Sequence, residues 1–470
     1  MRSGPSLPPG SSPTLLGLLE GDPDRIAVRT ASGDTAYSYA ELVAASARAG
    51  DQLRAAGTGP GAAVGLSAPN SIEFVLGLFG IASAGAVAAP LDPRLTASEI
   101  ETRLADIGAR ALVTPSGISR RDPARSVSLP DEAALIMFTA GTTGRSKAVP
   151  WTFANVSASL RGIIRSLELT AEDATVAIMP LTHGHGLMTG LLATLATGGT
   201  VTLPEVGRFS ASRFWAEMVG AGATWYTAVP TIHQILLARA AQEYPGPDRL
   251  RLRVIRSCSA PLAEPVATSI EATFHAPIVG AYGMTETAHQ ATSVPVGEAR
   301  RGRRGSVGVP TSVEVRIRDG EVLVRGDALT AGYLNDDDAD RSAFADGWFA
   351  TGDLGRVDDD GYLWLTGRIK ELINRGGEKI APGAVEAALL ANAAVVDAAA
   401  FGVPDPTYGE RVEAAVAVTP GTQITEAELR SEVADRLSAA EVPDRILLLE
   451  QLPHTAKGAP DRRALIALAT

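Results

Sequence analysis

The chain has 470 residues, 45% of them apolar and 20% charged, which is enough to bury sizeable cores in two or more domains. A formal charge of -11 argues against broad attraction to nucleic acid or an anionic membrane, so any anionic ligand must be held by specific groups. A single cysteine, Cys258, rules out an internal disulfide and fits a reducing compartment; a cytoplasmic protein is expected, with Cys258 a small buried apolar residue.

Near the N-terminus the apolar run "LLGLL" is too short for a signal-peptide core, and no export is expected. The stretches "SYAELVAASARAGDQLRAAG" and "SIEFVLGLFGIASAG" read as helices. "TASEIETRLADIGA" opens with the capping box Thr96 and Glu99 and leads into the strand-like "ALVT". Residues 174–204 contain no Asp, Glu, Lys or Arg. Pro180, His183, His185 and the pair Gly198-Gly199 interrupt this stretch, so the expectation is a buried helix followed by a strand, with no membrane span.

The texture changes after about residue 305. "VEVRIRDGEVLVRG" alternates apolar and polar residues around Asp319-Gly320 and predicts a β-hairpin in a more antiparallel region. The last hundred residues or so have their own elements: a helix around "PGAVEAALLAN", the strand "RVEAAVAVTP", a helix capped by Thr425 with Glu428, and the strand "RILLLEQLP". The acidic runs Asp336 to Asp338 and Asp358 to Asp360 lie beside turn-forming residues and read as solvated loops rather than metal sites.

The strongest chemical signal is "ALIMFTAGTTGRSKAVP", residues 134–150. An apolar strand runs into a loop of small and hydroxyl residues. Such a loop can turn backbone N–H groups and the hydroxyls of Thr139, Thr142 and Thr143 toward phosphate oxygens, with Gly141 and Gly144 permitting the tight backbone and Lys147 adding charge. The glycine–lysine spacing does not match the Walker pattern.

"TAGTTGRSK" resembles the phosphate-loop signature of the adenylate-forming superfamily of acyl-CoA synthetases, adenylation domains and luciferases. Further signatures similar to that family's follow in its order: "PLTHGHGL", "RSCSAPL", "GAYGMTET", "GWFATGDLG", "GRIKELINRGGEKIAP" and "LPHTAKGAPDRR". The resemblance spans nearly the whole chain. It implies an α/β fold, with a large multi-subdomain N-terminal adenylating domain that binds ATP and acid (1–369) and a small, hinged, mobile α+β C-terminal domain (370–470).

The resemblance also implies a two-step reaction, in which a carboxylate and MgATP give an acyl-adenylate and CoA then displaces AMP. ATP, Mg2+ and CoA are the expected cofactors. By the same resemblance Thr139, Thr142, Thr143 and Lys147 contact or support the phosphates, Thr285 bonds the α-phosphate, and Glu286 holds the magnesium. Ala260 and Pro261 line the adenine pocket, Tyr282 in the "YG" pair with Gly283 stacks on the base, and Asp353 and Arg368 bind the ribose. His183 gates the carboxylate, Lys370 lies at the hinge, and Gly376 and Gly377, with Lys379 just beyond, approach the pantetheine. The departure at Ala140, where the family usually has serine, removes one hydroxyl from the phosphate loop.

"GRFSASRFWAEMVGAGATWYTAVPTIHQILL", "RVIRSCSAPL" and "GMTETAHQ" resemble the oxalate–CoA ligase branch. By that resemblance His185, Ser259 and His289 read a small dianion, or else the two histidines support the nucleotide site, while bulky Trp225 and Tyr226 leave little room for an aliphatic tail. One alternative is an adenylating enzyme that acts on another small anion without CoA, such as a nitrite-activating diazotase. Another is an adenylation-impaired nucleotide-binding homologue or engineered variant. The closing motif motivates the second alternative: in "PHTAKGA" the family's catalytic lysine falls at Ala459, and Lys457 lies two residues earlier.

Overall fold

Helix starts fall where the sequence supplies a side-chain oxygen for otherwise unpaired N–H groups. Ser38 with Glu41, Thr96 with Glu99 and Thr425 with Glu428 form reciprocal capping boxes at the helices Tyr39–Ala55, Ala97–Asp106 and Glu426–Ala434. These and the other elements below come from a computed structural model that describes residues 14–123, 125–139, 146–299, 303–392, 394–419, 421–454 and 460–469.

Among the described residues the N-terminal part is built on several sheets. In a six-stranded sheet the parallel strands Ala111–Thr114, Ala63–Ser67, Val87–Leu91 and Ala133–Phe138 are flanked by antiparallel edges, one of them Ala148–Thr152. A second sheet begins with the parallel strands Trp225–Ala228, Val254–Ser257 and Ile278–Tyr282 and ends with two short antiparallel ones. The near-continuous apolar character of these strands follows from burial on both faces. Residues 174–204 resolve into the short strand Ala174–Val176, the buried helix His185–Ala193 and the strand Thr200–Leu203. The helix has wide π-type turns, a geometry common at functional sites. Among the described residues no helix is long and apolar enough to cross a membrane.

The hairpin Glu314–Arg318 and Glu321–Arg325 turns at Asp319 (φ 52) and Gly320 (φ 82), the pair of left-handed residues that a tight two-residue turn demands. It joins an antiparallel sheet with Trp348–Val357 and Leu363–Arg368. The acidic run at 336–338 departs from the expected solvated loop, because the Asp336 carboxylate accepts from the Ala339 N–H and caps the short helix Asp337–Ala343. Asp358 behaves as expected of a turn residue, accepting from the Asp360 and Tyr362 N–H groups and from the Trp364 indole.

After the short turn Ile369–Glu371 the chain enters a last five-stranded sheet, from Ile373–Arg375 to Arg445–Leu449, with its own apolar core around Val385, Leu389, Val412, Ala414, Val416 and Leu429. A large N-terminal domain and a C-terminal domain are therefore evident. Gln234 donates to the Val396 carbonyl at 3.0 Å across them.

Candidate active site

Three groups of predicted residues come together. The base of the phosphate loop is a closed hairpin, in which Ala133–Phe138 and Ala148–Thr152 pair antiparallel up to Phe138 and Ala148. The Thr139 N–H then donates to the Lys147 carbonyl at 2.9 Å, the Lys147 N–H to the Thr139 hydroxyl at 3.2 Å, and the Ser146 hydroxyl to the Thr139 carbonyl. Thr139 thus spends its hydroxyl on closing the loop, a role that its motif position did not reveal. Ala140, Gly141, Thr142, Thr143 and Gly144 lie outside the described residues, as do Lys457 and Ala459.

Beyond the hairpin, the Lys147 ammonium sits 4.3 Å from the centre of the Tyr333 ring, and the Tyr333 hydroxyl donates to Glu286 Oε1 at 2.7 Å. The cation and the carboxylate are held apart by one aromatic ring. Glu286 is also fixed by its carbonyl, which accepts from Thr330 N–H at 2.8 Å, and the Thr285 carbonyl accepts from the buried Trp151 indole at 2.7 Å. Tyr333 was not anticipated from the sequence.

The second group is the nucleoside set. Asp353 and Arg368 are register partners on adjacent antiparallel strands, and the Arg368 Nε–H donates to Asp353 Oδ1. The Tyr282 hydroxyl donates to Asp353 Oδ2 at 2.5 Å. Burial, followed by the Asp353 carboxylate, pushes the Tyr282 phenol well above its ordinary range, so it stays a donor. Gly283 has a packing reason for being glycine: a Cβ there would lie 1.9 Å from the His289 carbonyl oxygen. Pro261 lies on the exposed run that follows Ser259, with Ala260 half-buried between them.

The third group is the histidine cluster. His185, the first residue of the wide helix, is fully buried; its Nδ1 lies 3.1 Å from the Ser259 hydroxyl and its Nε2 lies 2.6 Å from the Thr227 hydroxyl. The His289 ring stacks on it at 5.0 Å, and His183 meets His289 edge-on at 6.3 Å. Ser259 (φ 74), Ala288 (φ 45) and His289 (φ 75) are all left-handed, a conformation that costs non-glycine residues energy and tends to persist at functional sites. Burial holds the His185 and His289 imidazoles well below the ordinary histidine range, and the charge of nearby Arg256 reinforces this for both. They act as neutral hydrogen-bonding groups.

Arg256, Thr227 and Gln290 belong to the same cluster and were not singled out from the sequence. Thr227 and Arg256 are register partners on parallel strands, so their side chains share a face. The Arg256 guanidinium donates to Gln290 Oε1 at 2.9 Å and lies 3.4 Å from the Thr227 hydroxyl. A signal was available: an arginine inside the buried strand "VIRS" has no surface to reach. Tyr226 corrects an expectation. By the alternation of the strand it faces away from His185, toward Phe214 and His233, and does not wall the cluster. Cys258 is buried, as expected. Lys370, Gly377 and Lys379 are exposed at the start of the C-terminal domain, with Gly377 at φ 95, and none is brought against these three groups.

Family models match this arrangement. That of the AMP-binding enzyme covers residues 19–130 and 119–334, and that of its C-terminal domain covers 384–459. Oxalate–CoA ligase of Arabidopsis thaliana is 42% identical over 96% of this chain and 98% of that protein. Oxalate–CoA ligase of Saccharomyces cerevisiae is 32% identical over 86% of each, and sulfoacetate–CoA ligase of Cupriavidus necator is 33% identical over 94% of this chain and 95% of that one. The solved structure of ATP-bound MatB from Rhodopseudomonas palustris superimposes with a TM-score of 0.84 at 27% identity, covering 97% of this chain and 98% of that one. The likeness runs along almost the full length, and the chain belongs to the AMP-binding enzyme family, among the acyl-CoA ligases.

Proposed function

We propose that this protein is an AMP-forming acid–CoA ligase whose acid is small and carries a second anionic or strongly polar group, oxalate foremost. The observation that carries this reading is the cluster of buried His185 and His289 with Ser259 at its exposed rim, a polar lining where an alkyl acid would need an apolar one. Two of the relatives named above act on oxalate and one on sulfoacetate, small acids with two anionic groups. All three are CoA ligases, which lends no support to the CoA-independent alternative.

In the first half-reaction a carboxylate oxygen attacks the α-phosphorus of ATP, the bond to the bridging oxygen breaks, and pyrophosphate leaves. Attack of one anion on another requires neutralised phosphate oxygens and a fixed line of approach. Lys147 and the phosphate loop supply charge and donors, Thr285 bonds the α-phosphate, and His183 borders the incoming acid. Tyr282, Asp353 and Arg368 hold the nucleoside. Among the described residues no group of three or more potential metal ligands occurs, and Glu286 presents a half-buried carboxylate across the Tyr333 ring from Lys147. That suits magnesium, which favours one or two carboxylates together with substrate phosphates and water; bound by Glu286, it would neutralise phosphate charge.

In the second half-reaction the CoA sulfur attacks the acyl carbon and AMP leaves. The exposed Gly376 and Gly377 turn, with Lys379 beyond it, would approach the pantetheine after a pivot at Lys370. Alanine at 459 in place of the family lysine leaves adenylation short of one positive charge, so this step is slow in the present chain. A pyrophosphate-release screen over small acids, with acyl-CoA followed by mass spectrometry, tests the reading. Turnover of octanoate in preference to oxalate, or no AMP binding by calorimetry, would sink it.

A further inference from the structure

We propose that Arg256 is the specificity-determining counter-charge for the distal anionic group of a small dianionic substrate, and that Thr227 and Gln290 hold its guanidinium in place. This rests on the small-acid ligase reading above and assigns the group that reads the second charge.

Arg256 has no exposed surface. By contrast, the buried carboxylates Asp173, Asp353 and Glu413 each pair with a partly exposed arginine, Arg253, Arg368 and Arg411 respectively. Among the described residues no carboxylate forms an ion pair with Arg256. Its bonds go to the neutral oxygens of Gln290 and Thr227, the Cys258 thiol lies within its reach, and its Nε has no hydrogen-bond partner among the described residues. A buried charge without a counter-ion is strongly unfavourable and persists where something outside the fold compensates it. The neighbouring side chains repeat the pattern, since His289 Nε2 and Gln290 Nε2 are likewise buried without partners. One guanidinium and two further nitrogens thus converge with their capacity unspent.

The position fits a distal group. Arg256 connects through the Thr227 hydroxyl to His185 and through it to Ser259 at the exposed rim, while His183 and Thr285 lie on the nucleotide side. On this proposal an acid whose reacting carboxylate lies beside His183 would turn its second group toward the arginine. A monocarboxylate leaves Arg256 unpaired. Because the surrounding histidines are neutral, they donate hydrogen bonds but cannot replace the missing charge.

The test uses the full chain saturated with AMP and free of magnesium, which oxalate would chelate, and measures oxalate and acetate affinities by calorimetry. Wild type is expected to bind oxalate at least about 100-fold more tightly than acetate, as a site with unspent buried donors discriminates. In Arg256→Met, AMP still binds, the apo melting temperature does not fall, and the oxalate preference shrinks to less than about tenfold. A wild type with no oxalate preference overturns the dianion reading itself, before any question about the arginine. A preference retained in Arg256→Met overturns the role of Arg256 alone. Should Arg256→Met fail to fold, Arg256→Lys decides: oxalate affinity falling at least about tenfold without a matching loss for acetate supports the bidentate counter-charge, and unchanged oxalate affinity overturns it.

Discussion

The hydroxyl of Tyr282 and the carboxylate of Asp353, 71 residues apart in the chain, meet at 2.5 Å, and Arg368 closes on the other carboxylate oxygen. Replacing Asp353 by Ala removes the acceptor shared by both. AMP binding should weaken by about 1 to 3 kcal/mol, the usual cost of losing hydrogen bonds to a charged group. Calorimetric titration with AMP checks this, and an unchanged affinity would remove Asp353 from the nucleotide site.

Tyr333 stands between Lys147 and Glu286 and should act by positioning the carboxylate. Tyr333→Phe keeps the ring under the lysine and deletes the hydrogen bond to Glu286. The magnesium concentration needed for half-maximal pyrophosphate release should rise severalfold, in line with about 1 kcal/mol for one such bond, and the acid KM should change little. A shift confined to the acid KM would argue that Tyr333 does not position Glu286.

Ala459→Lys restores the basic side chain that the family motif carries after the glycine. Pyrophosphate release should increase at least tenfold, equivalent to about 1.4 kcal/mol of transition-state stabilisation. If this substitution changes nothing while Lys457→Ala abolishes activity, the register argument is wrong and Lys457 is the catalytic lysine.

Stability should fall on mild acidification. Burial pushes His233 down to about 4 and holds His185 and His289 low as well. Their unfolded value is about 6.5, so between these limits the unfolded chain binds more protons; stability is complete above about pH 6.5 and is lost as pH falls. The His233 shift alone corresponds to about 3 kcal/mol by pH 4. Urea unfolding at about pH 7 and about pH 5 checks the direction, and His233→Asn should flatten the dependence. Equal midpoints at the two pH values would contradict the buried neutral state.

Much of this fold was legible because its cues are local. The capping pairs at Thr96 and Thr425, the Asp319-Gly320 turn and the apolar run before the phosphate loop each act within a few residues, and the ordered motifs supplied the family. The residues that were missed act across the chain. Arg256 carried a signal as an arginine within the apolar run "VIRS", but the lack of a carboxylate partner is seen only in the fold, and Tyr333 is informative only once its hydroxyl is found on Glu286. Tyr226 was misjudged because adjacent residues of a strand point to opposite faces, so it and Trp225 cannot both wall one site. Thr139 was read as contacting or supporting the phosphates, and its hydroxyl, which accepts from the Lys147 N–H, also closes the base of the loop.

The sheet that carries Thr227 and Arg256 differs from the one that carries Asp353 and Arg368, and the 2.5 Å bond from Tyr282 to Asp353 joins them. On the readings proposed above, acid selection and the pivot at Lys370 would belong to different sheets, which the contacts of Ser306, Val307 and Gly308 with Leu363 also tie together. For redesign this predicts that an exchange at Thr227 or Gln290 reaches the strand before Lys370 through Tyr282 and the 306–308 contacts with Leu363.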